Sequence, residues 1–327
     1  MILMGHGAGG RLSHQLVEEH FLPRFGSSAL SELMDAGVVG ELALTTDAFV
    51  VTPRVFPGGC LGRLAAAGTI NDLCMVGAVP VGLSAAFILE EGFSLEELDL
   101  HVQALADCAA EAGVPVVAGD TKVVPRGAAD GLFITTSGVG RLEGGFRPSP
   151  RLVRPGDAVI VSGTLGDHGM AVMALREGLA LGGGELRSDV APLAGLVRAL
   201  RGAGLEVHAM RDPTRGGAAQ SLLEIAGDAG VRITLDEAQI PVRGPVRAAC
   251  EILGLDPLYV ANEGKLLLIL PAAQADEAVA VLRDARYGQA AAVIGRVEEG
   301  RGVVLRTSLG TTRSLRMAAG ELLPRIC

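Results

Sequence analysis

Two periods of hydrophobic spacing alternate along this chain, and their succession predicts helices and strands in turn. Behind the opening string Gly5-His6-Gly7-Ala8-Gly9-Gly10-Arg11, positions Leu12, Leu16, Val17 and His20 or Phe21 share a helical face. Leu42 to Val51, rich in Thr, Val and Phe, reads as a strand, and Cys60 to Gly77 as a helix of small residues interrupted by Asn71-Asp72. An apolar run from Pro80 to Leu89 predicts a second strand. Leu95 to Ala112 is an amphipathic helix begun by Ser94 with Glu97 three residues on, a capping box. Val114 to Ala118 reads as a buried strand ending in Gly119-Asp120-Thr121-Lys122, and Leu132 to Gly140 adds another.

The clearest break is Arg147-Pro148-Ser149-Pro150 followed by Pro155-Gly156-Asp157. It divides the chain into a first domain over 1–147 and a second over 148–309, with 310–327 as a flexible tail. The second half restarts with a strand from Ala158 to Val161 and a turn from Ser162 to Gly169, in which His168 offers a ligand or base but reads rather as a capping or turn histidine. Helical patterns follow at Met170 to Glu177, Pro192 to Arg201 and Ala218 to Ala229. Strands follow at Leu266 to Leu270 and Ala291 to Val297, then a hairpin about Gly300-Gly302. A chain of 327 residues has room for these two domains.

Composition sharpens this picture. Hydrophobic residues make up 49% but aromatics only 3%, with no Trp, so Ala, Val, Leu and Ile must build a mixed α/β core. A net charge of −9 excludes a general nucleic-acid surface, so any phosphate must be held locally. No apolar run reaches membrane-spanning length and no signal-peptide core forms, so a cytoplasmic protein is expected. The cysteines Cys60, Cys74, Cys108, Cys250 and Cys327 are odd in number and lack CxxC spacing, which argues against a disulfide framework or zinc site. Nearly every cation is Arg; Lys122 and Lys265 alone are Lys, a residue whose pKa shifts readily for chemistry.

Several stretches carry candidate chemistry. Gly7, Gly9 and Gly10 precede a helix start and suit a lid over phosphates, or equally a plain N-terminal turn. Asp47 sits in an apolar strand, and a buried carboxylate needs a partner or a metal. The same holds for Asp72 beside Asn71. Asp120, Thr121 and Lys122 gather acid, hydroxyl and ammonium where α/β folds place their chemistry. Asp212, between Arg211 and the turn Pro213-Thr214-Arg215-Gly216-Gly217, suits a metal-bound phosphate. Glu263, beside Gly264 at a strand's entrance, can reach a cleft. Cys327 is tethered on one side only, so its sulfur can visit a site built elsewhere in the chain.

Taken together, Thr45-Thr46-Asp47, Asn71-Asp72-Leu73, Ala118-Gly119-Asp120-Thr121-Lys122, Asp212-Pro213-Thr214-Arg215-Gly216-Gly217, Asn262-Glu263-Gly264 and the ending Pro324-Arg325-Ile326-Cys327 resemble one family over essentially the whole chain. It is the HypE family of hydrogenase maturation proteins, carbamoyl dehydratases within the aminoimidazole ribonucleotide synthetase (PurM-like) superfamily. The terminal Pro-Arg-Ile-Cys is specific to this branch; most of the other motifs are shared across the superfamily.

The resemblance implies a two-domain PurM-like α/β (α+β) fold whose N-terminal domains pair into a β-barrel across a homodimer. It also implies that a carbamoyl group, placed on Cys327 by the carbamoyltransferase HypF, is dehydrated with ATP to a thiocyanate, and that the cyanide passes to hydrogenase iron on a HypC–HypD scaffold. By the same likeness Asp47, Asp72, Asp120 and Asp212 hold magnesium and nucleotide, with Asn71 and Thr121 assisting. Lys122 steadies charge on oxygen or phosphate, and Glu263 is the base. The rival readings are a superfamily enzyme acting on a free small molecule, of purine-pathway, selenophosphate or thiamine phosphate kinase type, and a nucleotide-binding scaffold with a docking tail.

Overall fold

The computed structural model describes all residues except 8, 28–29, 31–32, 180–184, 319–322 and 324. In the first half the helices α1 (Arg11–Leu16) and α2 (Leu22–Phe25) flank a π-helical turn, Val17–Phe21. Then come β1 (Gly37–Val39), β2 (Leu42–Phe49), a small hairpin of β3 (Val55–Phe56) and β4 (Gly59–Cys60), α3 (Leu61–Met75), β5 (Ala78–Glu90), α4 (Leu95–Ala112), β6 (Val116–Val124) and β7 (Leu132–Leu142). The sheet order is β1-β2-β7-β5-β6. Thus β2 and β6 are separated by two strands, with β6 at an edge.

Helix α3 is built mostly of Ala, Gly, Leu and Ile, and all its residues but Arg63 and Asp72 are buried. Leu61, Leu64 and Ile70 have no solvent exposure, and burial of each contributes about 2 kcal/mol. Its closest approach to α4 is at Gly62, where a Cβ would lie 1.8 Å from the His101 carbonyl oxygen, so no larger residue fits. The predicted interruption at Asn71-Asp72 does not occur; the helix runs through both. Ser94 caps α4, accepting from the Glu97 N–H as the capping box requires.

The second half holds β8 (Asp157–Val161), α5 (Asp167–Arg176), α6 (Ala194–Gly202), β9 (Ala209–Arg211), α7 (Gly217–Ala229), β10 (Arg232–Asp236), α8 (Gly244–Leu253), β11 (Leu267–Pro271), α9 (Ala275–Asp284), β12 (Ala292–Glu298), β13 (Gly302–Arg306) and β14 (Thr312–Ser314). Its sheet order is β14-β13-β10-β12-β8-β11-β9. The expected hairpin about Gly300-Gly302 is absent, because β10 lies between β12 and β13 and pairs with both. Among the described residues no helix is long and apolar enough to cross a membrane.

Two further expectations are corrected here. The strand expected over Val114 to Ala118 runs instead over Val116–Val124, so Gly119 to Lys122 lie in its middle and not at its end. Nor is it buried: Val117 and Val123 are 69% and 67% exposed. Among the described residues no sheet closes into a barrel within one chain; the five- and seven-stranded sheets are open.

Candidate active site

Three carboxylates from three different elements converge. Asp35 precedes β1, Asp72 projects from the last turns of α3, and Asp212 follows β9; their oxygens lie within 4.8 Å of one another. Asp47 on β2 adjoins Asp72 and accepts from the Thr69 hydroxyl at 3.1 Å. Thr45 donates to Asp72 at 2.8 Å. Burial, the largest cause for each, raises the pKa of all four; repulsion from the neighbouring carboxylates adds to it at Asp35, Asp72 and Asp212. Such a crowd of hard oxygen donors is stable as anions only with a cation among them, which is the chemistry of a magnesium site.

Arg211, 8% exposed, supplies part of that countercharge. Its guanidinium pairs with Asp35 at 2.6 Å and Glu224 at 3.1 Å, and Glu224 also meets His14 at 3.1 Å. Arg211→Met should therefore lower stability by about 3 kcal/mol, measured by urea denaturation, because two carboxylates lose their buried partner.

Asn71, expected to assist nucleotide binding, has its amide committed elsewhere. Its Nδ2 donates to the Ala191 carbonyl at 3.1 Å and its Oδ1 accepts from Leu193 N–H at 2.7 Å. It pins the segment before α6 against α3. Asp120, Thr121 and Lys122 do not join the acidic cluster within one chain. In register, Asp120 faces Ala86 on β5, Ala86 faces Thr135 on β7, and Thr135 faces Ala48 on β2. Asp120 is thus level with Ala48, the neighbour of Asp47, but three strands away, about 14 Å across the sheet. It pairs with Lys122 at 2.7 Å in solvent. Asp35 takes the place in the cluster that sequence reasoning gave to Asp120.

The C-terminal segment comes up beside β2 and Arg215. Cys327 lines a cavity of about 470 Å³ with Gly7, Gly10, Ala48, Arg215 and Gly216. Its thiol is pushed up to about 12, first by burial, with Arg215 opposing and Glu263 and Asp47 adding to the rise. The docked sulfur is therefore a neutral thiol facing one cation and two acids. Arg215 also donates to the Gly7 carbonyl at 2.8 Å, and Gly9, at φ +78°, packs against the Arg215 side chain. The glycine string is thereby laid over the site.

Glu263 is 3% exposed and its Oε1 has no hydrogen-bond partner among the described residues. Burial, then the charges of Asp212 and Asp189, raise its pKa well above the ordinary range. The backbone around it is fixed: its N–H donates to Asp189 at 3.1 Å, and Asp189 pairs with Lys265 at 3.0 Å. At Gly264 a Cβ would lie 1.8 Å from the Asp189 carbonyl oxygen, so only glycine allows this approach.

Comparison with known proteins settles the family. Residues 33–142 match the AIR synthase related protein N-terminal domain, and residues 154–308 the corresponding C-terminal domain. The carbamoyl dehydratase HypE of Cupriavidus necator is 50% identical over 99% of this chain and 94% of its own length. The chain belongs to the HypE family of carbamoyl dehydratases. A solved structure of a HypE in complex with ATP superposes with a TM-score of 0.85 at 46% identity, each chain covered to 100%. A HypE–HypF complex gives 0.90 at 45%, covering 93% of this chain and 99% of the HypE relative.

Family motifs pointed to Asp47, Asp72, Asp212, Glu263 and Cys327, and the fold gathers these five. They did not point to Asp35. It lies in Leu33-Met34-Asp35-Ala36, a short stretch ahead of β1 with no hydrophobic periodicity, and only the fold brings it to Asp72. Arg215 was visible only as one of two arginines at a turn.

Proposed function

We propose that this chain dehydrates an S-carbamoyl group carried on its own Cys327 to a thiocyanate, consuming ATP, as the names of its relatives indicate. One observation carries this reading. The terminal thiol is delivered into a cavity beside the acidic cluster, against Arg215 and Glu263, where a free small-molecule substrate would otherwise have to sit.

Asp35, Asp47, Asp72 and Asp212 are the residues that would hold magnesium, which when bound neutralises the phosphates of ATP and templates their transfer. Gly7, Gly9 and Gly10 cover the phosphates. In the first step the carbamoyl oxygen attacks the terminal phosphorus of ATP; ADP leaves and one N–H proton is lost. In the second, the remaining N–H proton and inorganic phosphate depart, leaving S–C≡N. Sulfur keeps its bond to carbon throughout, and the oxygen removed ends in phosphate. Arg215 faces the charge gathering on that oxygen. Glu263 is the base: neutralising the charges of Asp212 and Asp47 lowers its proton affinity and favours the carboxylate that takes the N–H proton.

Asp120, Thr121 and Lys122 enter from a second copy. Edge strand β6 exposes both faces, including Val117 and Val123, and an uncovered apolar edge of this length is a liability unless another chain pairs with it. A homodimer closing the two open sheets into a barrel covers it and carries the partner's β6 toward the other edge. The carbamoyl donor is a HypF-type carbamoyltransferase and the acceptor of cyanide a HypC–HypD type scaffold. All of this takes place in the cytoplasm, which supplies ATP and keeps thiols reduced.

The test is the mass of the C-terminal peptide after incubation with the carbamoyltransferase, carbamoyl phosphate and ATP. The expected result is a carbamoyl adduct on Cys327 that loses one water only when magnesium and ATP are both present. An unmodified tail with an active donor overturns the reading.

A further inference from the structure

The docked tail is gripped by its backbone. Val50 N–H donates to a backbone carboxylate oxygen of Cys327 at 3.1 Å and Thr52 N–H to the Arg325 carbonyl at 3.2 Å, so the last residues add a short antiparallel rung to 50–52. Arg176 Nη2 donates to the Arg325 carbonyl at 3.0 Å, and its Nε to the Thr52 carbonyl at 3.1 Å. The carbonyl between them, that of Ile326, lies 2.7 Å from Nε2 of the fully buried His168.

A carbonyl only accepts, so Nε2 of His168 carries the hydrogen. Nδ1 is then bare and accepts from the Ser188 hydroxyl at 2.8 Å, while Ser188 Oγ accepts from Val190 N–H at 3.1 Å. One chain of donors thus fixes the tautomer. The ring meets Phe56 edge-on, 5.3 Å between centroids, which fixes its plane. Gly169, next in α5, would place a Cβ 2.5 Å from Val260 and 3.2 Å from Leu323, so the helix start lies tight against both the 260–263 segment and the tail.

We propose that His168, oriented by Ser188 and aided by Arg176, is the positioning residue for the reacting sulfur: it fixes the carbonyl immediately before Cys327 and thereby places the thiol between Arg215 and Glu263. His168 does not touch the sulfur. Because it reads backbone alone, it grips free, carbamoylated and cyanated tails in the same way. This rests on the dehydratase reading above, and it separates the two half-reactions. Loading by the carbamoyltransferase needs the tail free; dehydration needs it docked.

The experiment compares wild type with His168→Ala, His168→Gln and Ser188→Ala as full-length chains. Loss of a buried hydrogen bond to the tail shifts docking by roughly tenfold. The expected result is a roughly tenfold slower single-turnover dehydration of pre-carbamoylated His168→Ala, with loading by the carbamoyltransferase retained. His168→Gln, which keeps an N–H donor, recovers most of the rate, and Ser188→Ala falls between. Amide exchange at Val50 and Thr52 quickens in parallel, a readout that needs no chemistry. Dehydration and exchange unchanged in His168→Ala, or loading and dehydration lost together with no rescue by Gln, overturns the proposal. A wild-type chain whose loaded tail is never dehydrated sinks the dehydratase reading instead, while the exchange difference still shows the clamp.

Discussion

Asp72→Asn and Asp212→Asn should each lower magnesium-dependent ATP turnover by a hundredfold or more, on the order seen when a transition-state charge partner is removed, and should also raise the melting temperature of the magnesium-free protein. The two effects have one cause. Asp72 and Asp212 are forced together with Asp35 and Asp47, and burial and mutual repulsion lift their pKa well above the ordinary aspartate value of 3.8. An acid whose folded pKa is raised binds protons more tightly in the folded chain. Its favourable contribution is complete below 3.8 and is lost as pH rises through the folded value. Above that value the folded chain carries the full penalty of ionised, crowded carboxylates. Asparagine removes one charge and that share of the penalty, so the melting temperature at pH 8 without magnesium should rise by about 2 °C or more. Added magnesium should stabilise wild type and leave either variant nearly unmoved. Calorimetry with and without the ion reads both arms; a variant that melts lower without magnesium, or that keeps its ATP turnover, contradicts the metal assignment.

How much of this was legible beforehand follows the range of each interaction. A local signal held where Ser94 caps α4 as the capping box placed it, and residues 147–156 lie between β7 and β8. Long-range pairing did not follow from local pattern. The glycines at 300 and 302 look like a hairpin turn, yet β10, some sixty residues earlier in the sequence, inserts between the flanking strands. The apolar run at 114–118 looks buried because apolar residues usually are; Val114 is, but Val116 and Val117 form an open edge. At the site, lone carboxylates in apolar surroundings marked Asp47 and Asp72, since the cost of burial is a property of the residue itself. Asp35 and His168 gave no such sign. Each acquires its role from a partner more than thirty residues away, Asp72 for one and the Ile326 carbonyl for the other. The Pro324-Arg325-Ile326-Cys327 ending identified the family, but the means of holding it lies in Val50, Thr52, His168 and Arg176, none of which carries a motif.

Mixing two inactive variants should restore activity if Lys122 acts on its partner's site. Lys122 lies on β6 and Asp47, the cluster's own strand residue, on β2, with β7 and β5 between them. A lysine side chain does not span the resulting distance of about 14 Å. Lys122 serves the acidic cluster only where a second chain brings its β6 to the β1–β2 edge, and two-fold symmetry then creates two such sites per dimer. Lys122→Ala removes the ammonium from both sites, and Asp72→Asn removes a metal ligand from both, so each variant alone should lose ATP turnover. In a mixed dimer one site collects both lesions and the other collects none. With random exchange half of the dimers are mixed, so about a quarter of the wild-type rate should return at equal concentrations. Co-expression with two affinity tags isolates the mixed species, whose rate should approach half that of wild type by the same symmetry. Restoration identifies the dimer and the shared site together. If the purified mixed dimer is as inactive as its parents, Lys122 acts within its own chain or outside the site, and the exposed face of β6 has another purpose than carrying it across.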